Sequence, residues 1–106
     1  MFHLVGSAPK ILADLSDVTC SAPASADLVC SIDLGDPVAS VKWFRNDKPI
    51  SGGKKYAMTV EDDSAVTLTC KETQFSDGAT YRVEASNKLG RVQSQCTLTV
   101  NCKYTT

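Results

Sequence analysis

The sequence predicts an all-β fold, a sandwich or barrel of short antiparallel strands. Two observations carry this: apolar residues recur with a period of two and almost never 3.6, and turn signals interrupt the alternation at a regular cadence. The length agrees, since 106 residues is one domain's worth of chain.

The elements follow in order. Strands are expected over residues 9–13, 17–22, 26–34, 38–45, 55–60, 64–72, 79–87 and 90–100. In the third, Leu28, Cys30 and Ile32 alternate with Val29, Ser31 and Asp33, and in the fourth Val41 and Trp43 alternate with Lys42 and Phe44. Val66, Leu68 and Cys70 share one face of the sixth, and Tyr81, Val83 and Ala85 share one face of the seventh. Cys96, Leu98 and Val100 repeat the pattern in the last. Each strand therefore has one dry and one wet face, as antiparallel sheets do. The turns fall at Asp36-Pro37, Asn46-Asp47, Gly52-Gly53, Glu61-Asp62-Asp63, Asp77-Gly78 and Leu89-Gly90, built from residues that favour tight or left-handed backbone. Residues 1–8 lack the charged and long apolar regions of a signal peptide, and read as a linker or a cloning remnant; residues 101–106 read as a C-terminal linker.

Three motifs in the right order resemble a family. Cys30 on an early strand is followed by Trp43 on the next. Asp77-Gly78-Ala79-Thr80-Tyr81 resembles the D-x-A-x-Y signature whose tyrosine forms a corner with the backbone. Ala85-Ser86-Asn87-Lys88-Leu89-Gly90, leading to Leu98-Thr99-Val100, resembles the ending of I-set immunoglobulin domains. The resemblance covers residues 9–100 and implies an immunoglobulin-like Greek-key β-sandwich. Cys30, Trp43, Leu68, Asp77, Tyr81 and Val83 are then the structural core residues.

The departure from the family is informative. Where a secreted immunoglobulin domain carries the second cysteine of its inter-sheet disulfide, two residues after the corner tyrosine, this chain has Val83. The fold is thus expected without the bond between strand B (residues 26–34) and strand F (residues 79–87). The missing bond would have closed a loop of about 53 residues, worth about 4 kcal/mol by chain entropy. Such loss is typical of the I-set modules of giant intracellular muscle proteins, the titin, twitchin and obscurin type. Resemblance to that type implies a non-catalytic spacer, scaffold and load-bearing unit in a tandem array, in the cytoplasm at the sarcomere or cytoskeleton. Its partners would be neighbouring immunoglobulin or fibronectin-type domains of the same chain and other sarcomeric or cytoskeletal proteins. The two ends are expected at opposite poles.

Five cysteines, Cys20, Cys30, Cys70, Cys96 and Cys102, cannot all pair within one chain. They read as buried or inert thiols, which suits a reducing compartment. Substitute bonds stay open: Cys30 and Cys70 face inward on neighbouring strands, and Cys20 could meet Cys96. If such bonds form, the alternative is an extracellular adhesion or receptor domain.

Composition and motifs exclude other classes. Eleven basic against twelve acidic residues leave a net charge of −1, which argues against nucleic acid or a polybasic membrane contact. No apolar run approaches the roughly 20 residues that span a bilayer. The single histidine, His3, leaves no Ser-His-Asp or Cys-His arrangement, and no cysteine knuckle supports zinc. Gly52-Gly53 before Lys54-Lys55 lacks a phosphate-loop frame, and Asp62-Asp63 reads as a solvated turn. No catalysis, metal, cofactor or small-molecule substrate is expected.

What remains is surface. Lys42, Phe44, Arg82 and Glu84 alternate with the inward Trp43, Tyr81 and Val83, so they form an outward face and a candidate partner surface. Phe44 on that face is expected to pack under a long side chain such as Arg82. Lys48, Lys54, Lys55 and Tyr56 form a small basic loop cluster, and the edge strands near the ends could accept an added strand.

Overall fold

The computed structural model describes residues 6–61 and 64–101. Asp62-Asp63, His3 and Cys102 lie outside the described residues. Among the described residues nine strands form: β1 (Lys10–Ala13), β2 (Val18–Ser21), β3 (Ala26–Asp33), β4 (Ser40–Arg45), β5 (Lys48–Pro49), β6 (Tyr56–Val60), β7 (Ala65–Cys70), β8 (Ala79–Asn87) and β9 (Gly90–Asn101). One sheet runs β1-β3-β7-β6 and the other β2-β9-β8-β4-β5. This is the sandwich expected from period two. Its added element is β5, which follows β4 through Asn46 and Asp47, both at positive φ (48° and 68°). A two-residue loop of this backbone twists like the strands it joins. A strand of two residues is too short for alternation to reveal it.

The inward faces meet in one core. Leu28, Cys30, Ile32, Val66, Leu68 and Cys70 enter from one sheet, and Trp43, Tyr81, Val83, Cys96, Leu98 and Val100 from the other, all nearly without exposure. Trp43 lies opposite Val83 across the β4–β8 pair. Asp77 closes the lower end: it is buried beside a 3₁₀ turn (Phe75–Asp77), and the Tyr81 hydroxyl donates to its backbone carbonyl at 2.8 Å. The Asp77 carboxylate accepts from the Gln74 backbone N–H at 2.7 Å and from Lys55 Nζ at 2.5 Å. Tyr56 meets the Tyr81 ring edge-on at 6.4 Å between centroids.

The opposite end is held by polar bonds. Ser7 bridges Asp36 through both backbone groups. Asn87 then ties three segments together: its Nδ2 donates to the carbonyls of Ser7 and Pro37, and its Oδ1 accepts from the N–H groups of Leu89 and Gly90. Gly35 faces this slot at φ +73°, and a Cβ there would lie 2.4 Å from the Ser7 carbonyl oxygen. Only glycine fits both the space and the backbone. Residues 6–8, which periodicity leaves out of the fold, are therefore bound into it. Replacing Asn87 with alanine is expected to cost about 2 kcal/mol, because the loss strands several backbone groups at once. A urea midpoint within error of the parent would contradict the clasp.

The first and last described residues, Gly6 and Asn101, lie at opposite poles. β8 and β9 pair from Ala79↔Leu98 to Asn87↔Gly90, a span of about 30 Å at the usual rise per residue. Ser7 sits at the Asn87 pole, while at the other the Asn101 carbonyl accepts from Ala22 N–H. Between them β2 pairs parallel with β9, from Val18↔Leu98 to Ser21↔Asn101.

Candidate functional site

The outward face of the β4–β8–β9 sheet carries the candidate surface residues. Lys42 lies opposite Glu84 and Phe44 opposite Arg82 in the β4–β8 register. The Arg82 guanidinium stacks on Phe44, with Cζ 4.4 Å from the ring centroid, a favourable cation–π contact. Its Nη1 is ion-paired to Asp47 and its Nη2 lies 3.5 Å from Glu84, which Arg91 also approaches at 4.0 Å. Phe44 is half-buried and Lys42 exposed. The face is thus a charge network lying over a ring, with Lys42 exposed beside it. Such pairs contribute little stability each, but they fix where the charges stand.

A second feature lies at the edge where the two sheets part. Arg45, Lys48, Pro49, Ile50, Ser51 and Tyr56 line a groove of about 300 Å³. Two cations stand on an apolar wall there, and no carboxylate lines it. Arg45 donates through Nη2 to the Ser76 carbonyl at 2.5 Å, while its Nε is buried without a hydrogen-bond partner among the described residues. Of the basic loop cluster, Lys48 lines this groove while Lys55 is held by Asp77 and the Glu72 carbonyl. The groove escapes a reading by sequence because Arg45 comes from a strand whose neighbours are core. Lys48 and Tyr56, both in the loop cluster read from the sequence, are the visible hints.

The cysteines are placed differently from either substitute pairing. Cys20, Cys30, Cys70 and Cys96 are free thiols. Cys30 lies opposite Val66 and Cys70 opposite Ala26, so these thiols share a face but stand four residues apart, about 13 Å along the strand. Cys20 lies opposite Val100, four residues beyond Cys96 on β9. The register, which alternation cannot give, separates both pairs. Instead Cys30 lies across the sheets near enough to raise Cys96, and Cys20 near enough to raise Cys70. Cys30 donates to the Ala13 carbonyl at 3.2 Å.

Among the described residues no group of three His, Cys, Asp or Glu side chains could hold a metal ion. The buried groups have raised pKa values. Burial, then Asp17 and Cys30, push Cys96 up to about 11. Burial raises Cys30 with help from Asp14, and raises Cys70 with help from Asp77. Burial and the Tyr56 hydroxyl raise Tyr81. For Lys55 burial works against the charge, but the bond to Asp77 outweighs it and the net shift is upward. All these groups keep their protons in the folded chain at a pH where the unfolded chain releases them. Stability is therefore unaffected by them below about pH 8 and falls as pH rises past the unfolded cysteine and tyrosine values, about 8.5 and 10. The urea midpoint is expected to drop steeply between about pH 9 and 11; a flat midpoint there would contradict the burial of these groups.

Two sheets face to face, a tyrosine corner closing one end and a core tryptophan opposite Val83 in the β4–β8 pair define an immunoglobulin-type module, a fold of non-catalytic type. The chain belongs to the I-set family: the model of the immunoglobulin I-set domain matches residues 9–100. It is 32% identical over 92 residues to the muscle M-line assembly protein unc-89 of Caenorhabditis elegans, covering 87% of this chain and 1% of that protein. It is 28% identical over 98 residues to human myomesin-2, covering 92% of this chain and 6% of that protein. The solved titin Ig tandem domains A164-A165 superpose with a TM-score of 0.84 at 32% identity, over 92% of this chain and 49% of that one. The chain thus spans a small fraction of the muscle proteins it resembles, and one module's worth of a titin tandem. It is an immunoglobulin I-set domain similar to those of muscle proteins, without a B–F disulfide.

Proposed function

We propose that this chain is a non-catalytic structural and protein-interaction module of a giant sarcomeric or cytoskeletal protein, working as spacer, scaffold and load-bearing unit in a tandem array in the cytoplasm. The single observation that carries the reading is the parallel β2–β9 pair set between described ends that lie at opposite poles. Tension on the ends draws β2 toward one pole and β9 toward the other. The hydrogen bonds between them lie across the pull, so they must break together rather than one after another. The similarity to unc-89, a muscle M-line assembly protein, and to a titin tandem supports the setting.

In such an array residues 9–100 are the module and the flanking residues join it to immunoglobulin or fibronectin-type neighbours. Lys42, Phe44, Arg82 and Glu84 present a charged face to other sarcomeric or cytoskeletal proteins. Weak contacts of this kind gain strength from repetition along the array. Single-molecule pulling through the two ends tests the load-bearing role. A distinct unfolding peak is expected, and a featureless extension would sink the proposal.

A further inference from the structure

We propose that the open edge between the sheets, at β6 and the Arg45–Lys48 groove, is a docking site for an extended acidic peptide segment of a partner protein. The site is independent of the β2–β9 pair and goes beyond the spacer role, since it assigns a ligand chemistry to a particular edge.

Two separate observations meet here. The first is backbone. β6 is the last strand of its sheet, and its antiparallel register with β7 pairs Met58 with Leu68 and Val60 with Val66. Lys71 N–H donates to the Lys55 carbonyl and Glu61 N–H to the Ala65 carbonyl, so residues 55 and 61 turn their backbone groups toward β7. In an antiparallel pair this alternates. Hence 57 and 59 also face β7, while Tyr56, Met58 and Val60 face outward. The Tyr56 carbonyl is taken by Gly53 N–H. Met58 and Val60 are left as two donor–acceptor positions on an edge, the arrangement that accepts an added strand.

The second observation is charge. Beyond the Tyr56 end of this edge lies the groove, with Arg45 and Lys48 over Pro49, Ile50 and Tyr56. Two carboxylates close in sequence or space to these cations are committed elsewhere, Asp47 to Arg82 and Asp77 to Lys55. Lys48 is exposed and has no ion pair among the described residues, and behind it Arg45, held by the Ser76 carbonyl, adds a positive charge that no carboxylate among the described residues pairs. A strand added to β6 would send an acidic side chain into that pair of cations and lay an alternate apolar one on Ile50 and Tyr56. A basic or neutral strand would gain the backbone bonds only. Charge complementarity therefore selects the acidic segment over a second copy of this chain, whose own edge brings the same cations.

The test uses the 15N-labelled chain and a synthetic blocked peptide of three Glu-Val repeats. Saturating amide shifts are expected at Ile50, Ser51 and Met58 to Val60. Raising salt from about 50 to about 300 mM should weaken binding about fivefold. A peptide of three Lys-Val repeats should leave these amides in place. Lys48→Glu, on an exposed side chain, should weaken binding about tenfold while keeping the parent spectrum elsewhere. Val60→Pro removes an outward N–H at the strand's end, where proline is tolerated, and should also weaken it. The proposal is overturned by equal response to the Lys-Val peptide, by shifts confined to another face, by no shift at several millimolar acidic peptide, or by the same shifts on concentrating the chain alone. The last outcome would make the edge a self-association site.

Discussion

Trp43→Ala is expected to destabilise the domain by about 3–5 kcal/mol, the usual cost of emptying a large aromatic site in a packed core. Trp43 is 1% exposed and sits opposite Val83 at the centre of the sandwich, where the two sheets cannot collapse into the gap without breaking register. A domain of this size has about 5–15 kcal/mol in all, so the variant stands near the threshold of folding. Trp43→Phe separates volume from chemistry. The indole Nε1–H is buried with no partner among the described residues, so removing it relieves a desolvation cost while most of the ring stays. The phenylalanine variant should lose less than about half as much as the alanine one. Urea denaturation with unchanged m-values checks both; a loss under about 1 kcal/mol for Trp43→Ala would place the core elsewhere.

Val83→Cys is expected to act in the opposite direction once oxidised. Cys30 is 1% exposed and Val83 fully buried, on facing sheets. Cys30 reaches Ala13 and is influenced by Ser94, the residue opposite Val83 on β9. The new cysteine therefore completes the pair that I-set relatives of the secreted type possess. Closing that loop should raise stability by about 2–4 kcal/mol, less any strain in the bond. Reduction should return the variant to the parent value or slightly below, since the thiol fills less space than the valine. Oxidation in a glutathione buffer followed by intact mass and urea denaturation reads the effect. If the pair stays reduced, or oxidation destabilises, residues 30 and 83 do not stand face to face.

How far the molecule could be read from residues alone depends on the range of the cause. Alternation is local, and one wet face per strand is enough to place Leu28, Leu68, Tyr81 and Leu98 inside. The stacking of Phe44 under Arg82 was legible for the same reason: adjacent outward positions on neighbouring strands leave a ring little else to cover it. The register was not legible, because any even slip of a strand preserves its dry face. That is why Cys30 and Cys70 could be imagined opposed although Cys30 meets Val66. The polar clasp at the upper pole was hidden too. Asn87 belongs to a motif visible in the sequence, yet its bond to Ser7 spans 80 residues, and the small residues around it carry no periodicity. The groove combines Arg45 and Tyr56 from different sheets, which no spacing announces.

The absence of a B–F bond has a mechanical meaning. An inter-sheet disulfide would shield about half of the chain from extension, whereas a domain held by packing and hydrogen bonds yields all of its length once the β2–β9 pair gives way. On the proposed load-bearing role, resistance and full release would belong to the same structure. Cys30, Cys70 and Cys96 are buried with raised pKa values, which makes them poor nucleophiles and slow to oxidise while the domain is folded.

The measurement that tests this account most directly is the length released per unfolding event when the chain is pulled through its ends without reductant. Residues 10–101, from the start of β1 to the end of β9, extend to about 330 Å from a folded span of about 30–40 Å. A distinct force peak followed by a gain of about 290 Å, unchanged by added reductant, is expected. A gain shortened by about half that lengthens on reduction, or extension with no peak, would contradict it.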